Sequence, residues 1–186
     1  SAHGVSPAVH AQAAERDLLT ATQVLGRSLQ ASLAGASQDV RLLASLAPSR
    51  QLDAMPPASQ AAEDGLAATF TSLLKIHPEY LQIRLIGRTE HGRERVRVER
   101  DGQQLLRVRG RQLQEKAHFP YVFEALSLQP GQVRLSPIVI NHEHGTHSAQ
   151  DKPSLIISGP TIGPASSAGH ALIVLNIDLN RLFQQL

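Results

Sequence analysis

The sequence has no cysteine and no tryptophan, and only 3% of its residues are aromatic. The lack of cysteine excludes a disulfide framework and thiolate metal sites. The scarcity of aromatic rings argues against a surface on which nucleic-acid bases stack. Basic residues exceed acidic residues by only two, 18 against 16, and they form no block, so nucleic-acid binding has little electrostatic support.

Long apolar runs are also missing. No stretch approaches the roughly 20 apolar residues that a membrane-spanning helix needs, and no basic start followed by an apolar segment indicates a signal peptide. The chain opens inside polar, alanine-rich sequence, so we expect it to be a piece of a longer protein. Its 186 residues, 41% of them hydrophobic, are enough for one sizeable core or two small ones.

The first part of the chain predicts two helices. Between Val9 and Ala47 the apolar residues lie on one helical stripe that no proline interrupts. The stripe consists of Leu18, Leu25, Leu29, Leu33, Ala36, Val40 and Leu43. A helix of that length would measure about 50 Å. It is either a core helix with a frayed end or a helix that continues from a membrane span and pairs with a second copy. A second helix is predicted over Ala58–Ile76.

After Pro78 the apolar period changes from helical to two, which predicts strands. The predicted strands are Tyr80–Ile86, Arg93–Glu99, Leu105–Arg109, Val133–Ile140, Leu155–Ile162 and Ala171–Ile177. The first strand is expected to divide its side chains between two faces. Leu81, Ile83 and Leu85 lie on one face, and Tyr80, Gln82 and Arg84 lie on the other.

Short helices are expected in the last part of the chain. One begins at Pro120 and buries Phe119, Val122, Phe123 and Leu126. Another begins at Leu179, where Asp178 is expected to cap it. This order of elements predicts an α+β fold around one antiparallel sheet. We expect a single domain, with long helices over residues 1–78, a sheet core over 79–178 and the start of an exit helix over 179–186.

Several stretches, none of them specific alone, occur in an order that resembles a known family. They are Gln82-Ile83-Arg84, Glu94–Val98, Leu113–Lys116, Tyr121–Phe123, Leu135-Ser136, Asn141–Gly145, Lys152-Pro153, Asn176–Asp178 and Leu182-Phe183. The ordered set resembles the Cache (PDC) sensor domains of bacterial receptors. The resemblance implies a PAS-like sheet with a long N-terminal helix, placed on the periplasmic or extracellular side of the inner membrane in a membrane-anchored protein. It also implies an output module, such as a diguanylate cyclase, a histidine kinase or a chemotaxis signalling domain, and permits a second Cache-like lobe after Leu186.

The sequence departs from this family at two places. Many members carry an arginine shortly after the proline that corresponds to Pro153, whereas Ser154–Ile157 is uncharged here. The tryptophan-tyrosine signature of some amino-acid-binding members is absent, because the chain has no tryptophan. The motifs therefore give no support to amino-acid sensing.

The resemblance places a ligand pocket between the sheet and its flanking helix and loops. The candidate ligand-binding residues are Arg84, Arg97, Lys116, Tyr121 and Ser136. An arginine grips a carboxylate with two parallel hydrogen bonds, and a tyrosine ring closes a pocket rigidly. The alternative is that the strand arginines face solvent. The arginines and the pI of 9.4 favour a small anionic ligand such as a carboxylate.

The run from Asn141 to His147 is rich in histidine. His142, His144 and His147 are a conceivable zinc set, and the alternative is a solvated loop. The run nearly matches a zinc motif of metallo-β-lactamase-type hydrolases but has Thr146 where that motif has aspartate. We therefore predict no metal and no cofactor. With no Gly-x-Ser-x-Gly elbow or phosphate-binding loop either, we predict that the chain is not an enzyme.

The sequence thus predicts an extracytoplasmic domain that binds a small ligand and transmits through its helices, with the long helix forming a homodimer interface. The alternative is a dimerisation spacer or a docking module for a protein partner. A cavity with convergent polar groups would favour the first interpretation.

Overall fold

The structure is a computed structural model that describes residues 4, 6–89, 91–116, 119–140, 152–163 and 168–186. The helices are α1 Pro7–Leu46, α2 Ser49–Leu52, α3 Ala58–Ile76, α4 Pro120–Leu126 and α5 Leu179–Gln184, with a 3-10 turn at Gly110–Gln112. The strands are β1 Tyr80–Gly87, β2 Glu94–Asp101, β3 Gln104–Val108, β4 Arg134–Leu135, β5 Val139–Ile140, β6 Pro153–Ile162 and β7 Ala168–Asp178.

The strands form one antiparallel sheet in the order β3-β2-β1-β7-β6-β4, and β5 also pairs with β6. The first strand lies in the middle of the sheet, between β2 and the last strand. The predicted α+β fold is confirmed, and the helices predicted at both ends of the chain are present. Asp178 caps α5 as expected, because its side chain accepts hydrogen bonds from the backbone N–H groups of Asn180 and Arg181.

The chain divides into two compact units, which are α1 up to Gly35 and the remainder from Ala36 to Gln185. In the first unit, Leu18 and Leu25 of the predicted apolar stripe are exposed. In the second unit, the stripe residues Ala36, Val40 and Leu43 are buried. The prediction of a single domain stays a prediction.

One face of the sheet, here called the helical face, is apolar at its centre, while Arg100 of β2 and Arg107 of β3 contact α3 from the same face. It carries Leu81, Ile83, Leu85, Val96, Val98, Ile157, Ile173 and Leu175. The register places Ile83 between Val98 and Leu175. The C-terminal part of α1 lies on this face, since a Cβ at Gly159 would lie 3.6 Å from Val40, and α3 packs on β1 and β2.

The opposite face, here called the α4 face, is mixed. Its apolar half joins α4 in one cluster of Ile86, Tyr121, Val122, Ala125, Ile156, Leu172 and Val174. Its polar half carries Gln82, Arg84, Arg97, Glu99 and Asn176, which the register aligns on neighbouring strands. All of these polar residues are buried.

Tyr80 does not share a face with Gln82 and Arg84 as predicted. The pairing of β1 with β7 shifts between Tyr80 and Gln82. The hydroxyl of Tyr80 instead donates a hydrogen bond to Asp39 of α1. Strict alternation fails here because one irregularity in the ladder reverses the side on which the next residue projects.

The last part of the chain differs from prediction at two further places. Phe123 is 50% exposed, and Tyr121 is buried in its stead with Val122. The strand predicted over Val133–Ile140 is split into β4 and β5. Between them, the hydroxyl of Ser136 accepts the hydrogen bond from the backbone N–H of Ile156, so that a side chain holds the sheet edge where the strand is interrupted.

Within the described residues, no helix has both the length and the apolar character that crossing a membrane requires.

Candidate functional site

A buried network of charges occupies the polar half of the α4 face. Its members are Arg84, Glu94, Arg97 and Glu99, all with 0% exposure. Arg97 donates to Glu99 Oε2 from Nη2 at 2.7 Å and from Nε at 3.1 Å. Its Nη1 donates to both oxygens of Glu94, at 3.2 and 3.3 Å. Two positive charges and two negative charges therefore lie together away from bulk solvent, which is tolerable only because they are paired.

Arg84 connects this network to α4 and to the last strand. Its Nη1 donates to Glu94 Oε2 at 3.3 Å and to the Tyr121 hydroxyl at 2.8 Å. Its Nη2 donates to Asn176 Oδ1 at 2.9 Å. The guanidinium carbon also lies 4.9 Å from the centroid of the Tyr121 ring, within the range of a cation–π contact. Arg84 thus holds the tyrosine in one position.

The sheet register explains why these side chains meet. Arg84 and Arg97 are direct cross-strand partners, and like charges at such positions repel each other. The register of β1 and β2 shifts after Leu85, so that Glu94 pairs with Ile86 and its carboxylate reaches both arginines. The backbone N–H of Gln114 donates to Glu94 Oε1 at 2.8 Å and completes the environment of this carboxylate.

A cavity of about 530 Å³ lies beside this network, between α4, the β4–β5 segment and β6. It is lined by Phe119, Pro120, Tyr121, Glu124, Arg134, Ser136, Pro137, Val139, Ile140 and Ile156. The rings of Phe119 and Tyr121 lie with their centroids 5.6 Å apart. Its volume falls in the range that small-molecule sites occupy, and its lining is mostly apolar, as such sites usually are.

The polar side chains of this lining already have partners. Arg134 forms an ion pair with Glu124 at the cavity edge. The Ser136 hydroxyl accepts from Ile156 N at 2.9 Å and donates to the carbonyl of Pro137 at 2.8 Å. The Tyr121 hydroxyl accepts from Arg84. A ligand in this cavity therefore meets polar atoms that are held in fixed positions.

The structure places the predicted ligand-binding residues in one region, but at different distances from the cavity. Tyr121 and Ser136 line the cavity, Arg84 contacts Tyr121, and Arg97 lies one residue further away through Glu94. Lys116 is buried, with its ammonium 4.6 Å from the ring centroid of Phe119. The alternative in which the strand arginines face solvent is wrong for Arg84 and Arg97. Whether these residues bind a ligand stays a prediction.

Glu94, Glu99 and Asn176 were missed as members of the site. A signal for the two glutamates was present, because Arg84 and Arg97 lie on strands predicted to pair, and arginines buried in a sheet need carboxylates at nearby positions. The spacing Glu94-x-x-Arg97-x-Glu99 supplies them on the same strand. No signal identified Asn176, since its contact with Arg84 spans 92 positions of the chain.

The histidine-rich run lies outside the described residues, and with it His142, His144 and His147. Among the residues that the structure describes, no group of three histidines or carboxylates converges in a way that would hold a metal ion.

A second polar cluster joins α1 to the first strand. Tyr80 donates to Asp39 of α1, and its ring stacks on His77 with centroids 4.4 Å apart. Burial raises the pKa of Tyr80 well above its ordinary value, and the hydrogen bond to Asp39 raises it further. The carbonyl of Glu79 accepts from the backbone N–H of Asp178, at 2.8 Å, where α5 begins. This segment therefore contacts α1 on one side and the start of α5 on the other.

The architecture defines the class of fold. An antiparallel sheet in the order β3-β2-β1-β7-β6-β4, preceded by a long helix and bearing α4 beside a cavity, matches the Cache (PDC)-like α+β fold that the sequence predicts.

Among solved structures, the chain is similar to the extracellular domain of a protein assigned as histidine kinase vpHK1S-Z8, with a TM-score of 0.73 and 24% identity, over 92% of this chain and 59% of that one. It is similar to a domain of a sensory box/GGDEF family protein from Vibrio parahaemolyticus, with a TM-score of 0.71 and 23% identity, over 88% and 60%. The ligand-binding domain of the Campylobacter jejuni chemoreceptor Tlp3, in complex with L-norvaline, matches with a TM-score of 0.65 and 11% identity, over 96% and 65%.

These similarities confirm the fold. The chain spans about three fifths of the length of the first two structures. No family model matches the sequence, and no curated protein matches it either.

Proposed function

We propose that the chain is the extracytoplasmic ligand-binding sensor domain of a bacterial membrane receptor. The observation that carries this proposal is the cavity beside α4, whose wall includes a tyrosine held by a buried arginine. The fold supports the same function, because extracellular domains of histidine kinases and ligand-binding domains of chemoreceptors share it. The output module is a diguanylate cyclase, a histidine kinase or a chemotaxis signalling domain. The domain itself is not an enzyme.

The predicted site residues take different roles in this proposal. Tyr121 and Ser136 contact the ligand directly, since both line the cavity. Arg84 positions Tyr121, and Arg97 holds Glu94 in place for Arg84. Lys116 acts through the ring of Phe119, which also lines the cavity. No metal or cofactor takes part.

The signal passes through the helices. A ligand biases a receptor only by the difference between its affinities for two states. The buried part of α1 is held by the bond from Tyr80 to Asp39 and by the Arg41 side chain, which donates to the carbonyl of Gly131 at 2.9 Å. Gly131 lies in the turn before β4, at the edge of the cavity segment. A shift of this segment on binding would move α1, as shifts of about 1–2 Å do in known switches.

The first experiment is a thermal-shift screen of the purified domain against organic acids, amino acids, nucleobases and divalent metals. A ligand at 100 times its dissociation constant stabilises a fold by about 2.7 kcal/mol. We expect one chemical class to raise the melting temperature. Tyr121→Phe should weaken that effect, whereas Tyr80→Phe removes the chain's other tyrosine hydroxyl, away from the cavity lining, and should retain it.

Two outcomes would contradict the proposal. A stabilisation by zinc alone would transfer the binding site to the histidine-rich run. No stabilisation by any class would favour the alternative, a dimerisation spacer or protein-docking module. Arg84→Ala is a poor probe here, because it leaves Glu94 with one buried partner fewer and destabilises the fold itself.

We also propose that α1 pairs with a second copy. The side chains of Val9, Leu18, Leu19, Val24 and Leu25 are exposed along the first unit. Sedimentation should show a dimer that the double variant Leu18→Glu/Leu25→Glu dissociates. Leu46→Glu, at an exposed leucine near the other end of α1, is the matched control and should leave the dimer intact. A wild-type domain that sediments as a monomer at high concentration would contradict this pairing.

A further inference from the structure

The charges around the cavity bear on the class of ligand that it takes. The excess of arginine in the sequence favours an anionic ligand, because a guanidinium binds a carboxylate well. That expectation requires an arginine at the cavity whose guanidinium is not already paired with a carboxylate of the protein. The described lining contains one basic residue, Arg134, and one acidic residue, Glu124, and they are paired with each other.

The arginines behind the lining are paired as well. Arg84 contacts Glu94, and Arg97 contacts both Glu94 and Glu99. A carboxylate that enters the cavity would have to displace one of these glutamates from a fully buried position. Without that displacement the carboxylate would lose its hydration against a mostly apolar wall, which is strongly unfavourable.

The remaining wall suits a different ligand. Phe119, Val139, Ile140 and Ile156, together with two prolines, provide aromatic and aliphatic surface. Burial of apolar surface is the main favourable term for a neutral molecule. The hydroxyls of Tyr121 and Ser136 are held in place and offer at most one or two directed hydrogen bonds.

We infer that the cavity takes an uncharged, largely hydrophobic small molecule and discriminates against carboxylates. The inference rests on the proposed function, since it assigns the ligand class of the same cavity. It names Glu124 as a specificity-determining residue, because this carboxylate occupies the one arginine of the described lining.

The test uses three probes with one ring system and different charge: 2-naphthalenemethanol, 2-naphthoate and 2-naphthylmethylammonium. We expect the purified domain to bind the alcohol at least tenfold more tightly than naphthoate at pH 7.5, by titration of naphthalene fluorescence. Glu124→Gln frees Arg134 and should bring naphthoate to within threefold of the alcohol. Glu115→Gln, also an exposed glutamate but outside the lining, should change neither affinity.

A second pair of variants locates the binding. Ile140→Trp adds a bulky ring to the lining and should weaken binding of the alcohol at least tenfold. Ile138→Trp places the same ring at a position that is 66% exposed and outside the lining, and binding should persist. Because the chain has no tryptophan, each variant also carries a single reporter of its own fold.

The outcomes separate this inference from the proposed function. Naphthoate binding as tightly as the alcohol, or a Glu124→Gln variant that leaves naphthoate affinity unchanged, would overturn the ligand class while the sensor proposal stands. If none of the three probes binds, the inferred ligand class is also overturned. The sensor function itself would be contradicted only if the thermal-shift screen also found no compound that stabilises the domain.

Discussion

The two faces of the central sheet are built from alternate residues of the same strands, yet they are held by different forces. On the helical face Ile83 and Leu85 lie among other aliphatic side chains, and α3 packs on their strand. On the α4 face Arg84, between them in sequence, lies among carboxylates, an amide and a tyrosine. Both faces are buried. Burial alone therefore does not indicate whether a surface supplies stability or a site.

The difference has an energetic meaning. Apolar packing stabilises a fold directly, whereas a buried ion network gains little because desolvation of the charges offsets their attraction. We interpret the helical face as the main source of stability and the polar half of the α4 face as the support of the proposed site. Substitutions on the two faces should therefore behave differently.

The largest effect is expected on the helical side. Phe70 of α3 has 0% exposure, and Phe70→Ala should lower the free energy of unfolding by about 3–5 kcal/mol, because it removes apolar contacts and leaves a cavity. Phe123→Ala, at a half-exposed phenylalanine of α4, should cost less than about 1 kcal/mol. Urea unfolding of both variants measures the contrast, and similar losses for the two would contradict this division of roles.

On the α4 face, a single substitution and a matched double substitution should differ in how much they lower the free energy of unfolding. Glu99→Ala takes a carboxylate from the buried Arg97 and should cost about 3 kcal/mol. Arg97→Met/Glu99→Leu removes one charge of each sign. Glu94 loses its bonds from Arg97 but keeps Arg84 and the backbone N–H of Gln114, so the double variant should cost less than Glu99→Ala. If the double variant loses as much as the single one, the network supports the fold and not only the site.

Tyr80 provides a polar contact on the helical side, and it titrates. Because its pKa is raised in the folded state, its contribution is fully present below the unfolded value near 10 and declines as pH rises beyond that value. Above pH 10 the wild type should lose stability faster than Tyr80→Phe, by at most about 1.4 kcal/mol per pH unit. Urea unfolding between pH 8 and 11 measures the two slopes, and parallel slopes would refute this.

The smallest effect is expected at the surface. Arg107 donates to Asp64 at 2.6 Å and lowers the pKa of that carboxyl, but Asp64 is exposed. Exposed ion pairs contribute little to stability. Arg107→Ala should therefore leave the urea midpoint close to that of the wild type. A shift as large as that of Glu99→Ala would show that the exposed pair and the buried pair contribute equally to stability.

Much of the architecture was predictable from local patterns. The helical stripe predicted α1 to within two residues at its N-terminal end, and α3 has the predicted bounds. The alternation of Leu81, Ile83 and Leu85 identified the helical face, because side chains two apart on a strand project to the same side. These features depend on residues a few positions apart, which a sequence displays directly.

The errors occurred where local pattern and tertiary contact disagree. Phe123 satisfied the helical spacing but lies at the surface, while Tyr121 is drawn inward by Arg84. The strand over Val133–Ile140 is divided at Ser136–Ile138, where the Ser136 hydroxyl, and not a backbone carbonyl, accepts the hydrogen bond from Ile156 N–H. Each outcome was decided by a partner that is far away in the sequence.

The sequence by itself determined the long helices, the longer strands and the apolar centre of the helical face, since hydrophobic periodicity expresses which side of an element must leave water. Only the tertiary structure decided the partners of the arginines. Arg84 and Arg97 have the same appearance in the sequence whether they face solvent, a ligand or a carboxylate. The strand register brought Glu94, Glu99 and Asn176 to them. Charge pairing acts over a few ångströms in space, and that distance is not encoded in the spacing along the chain.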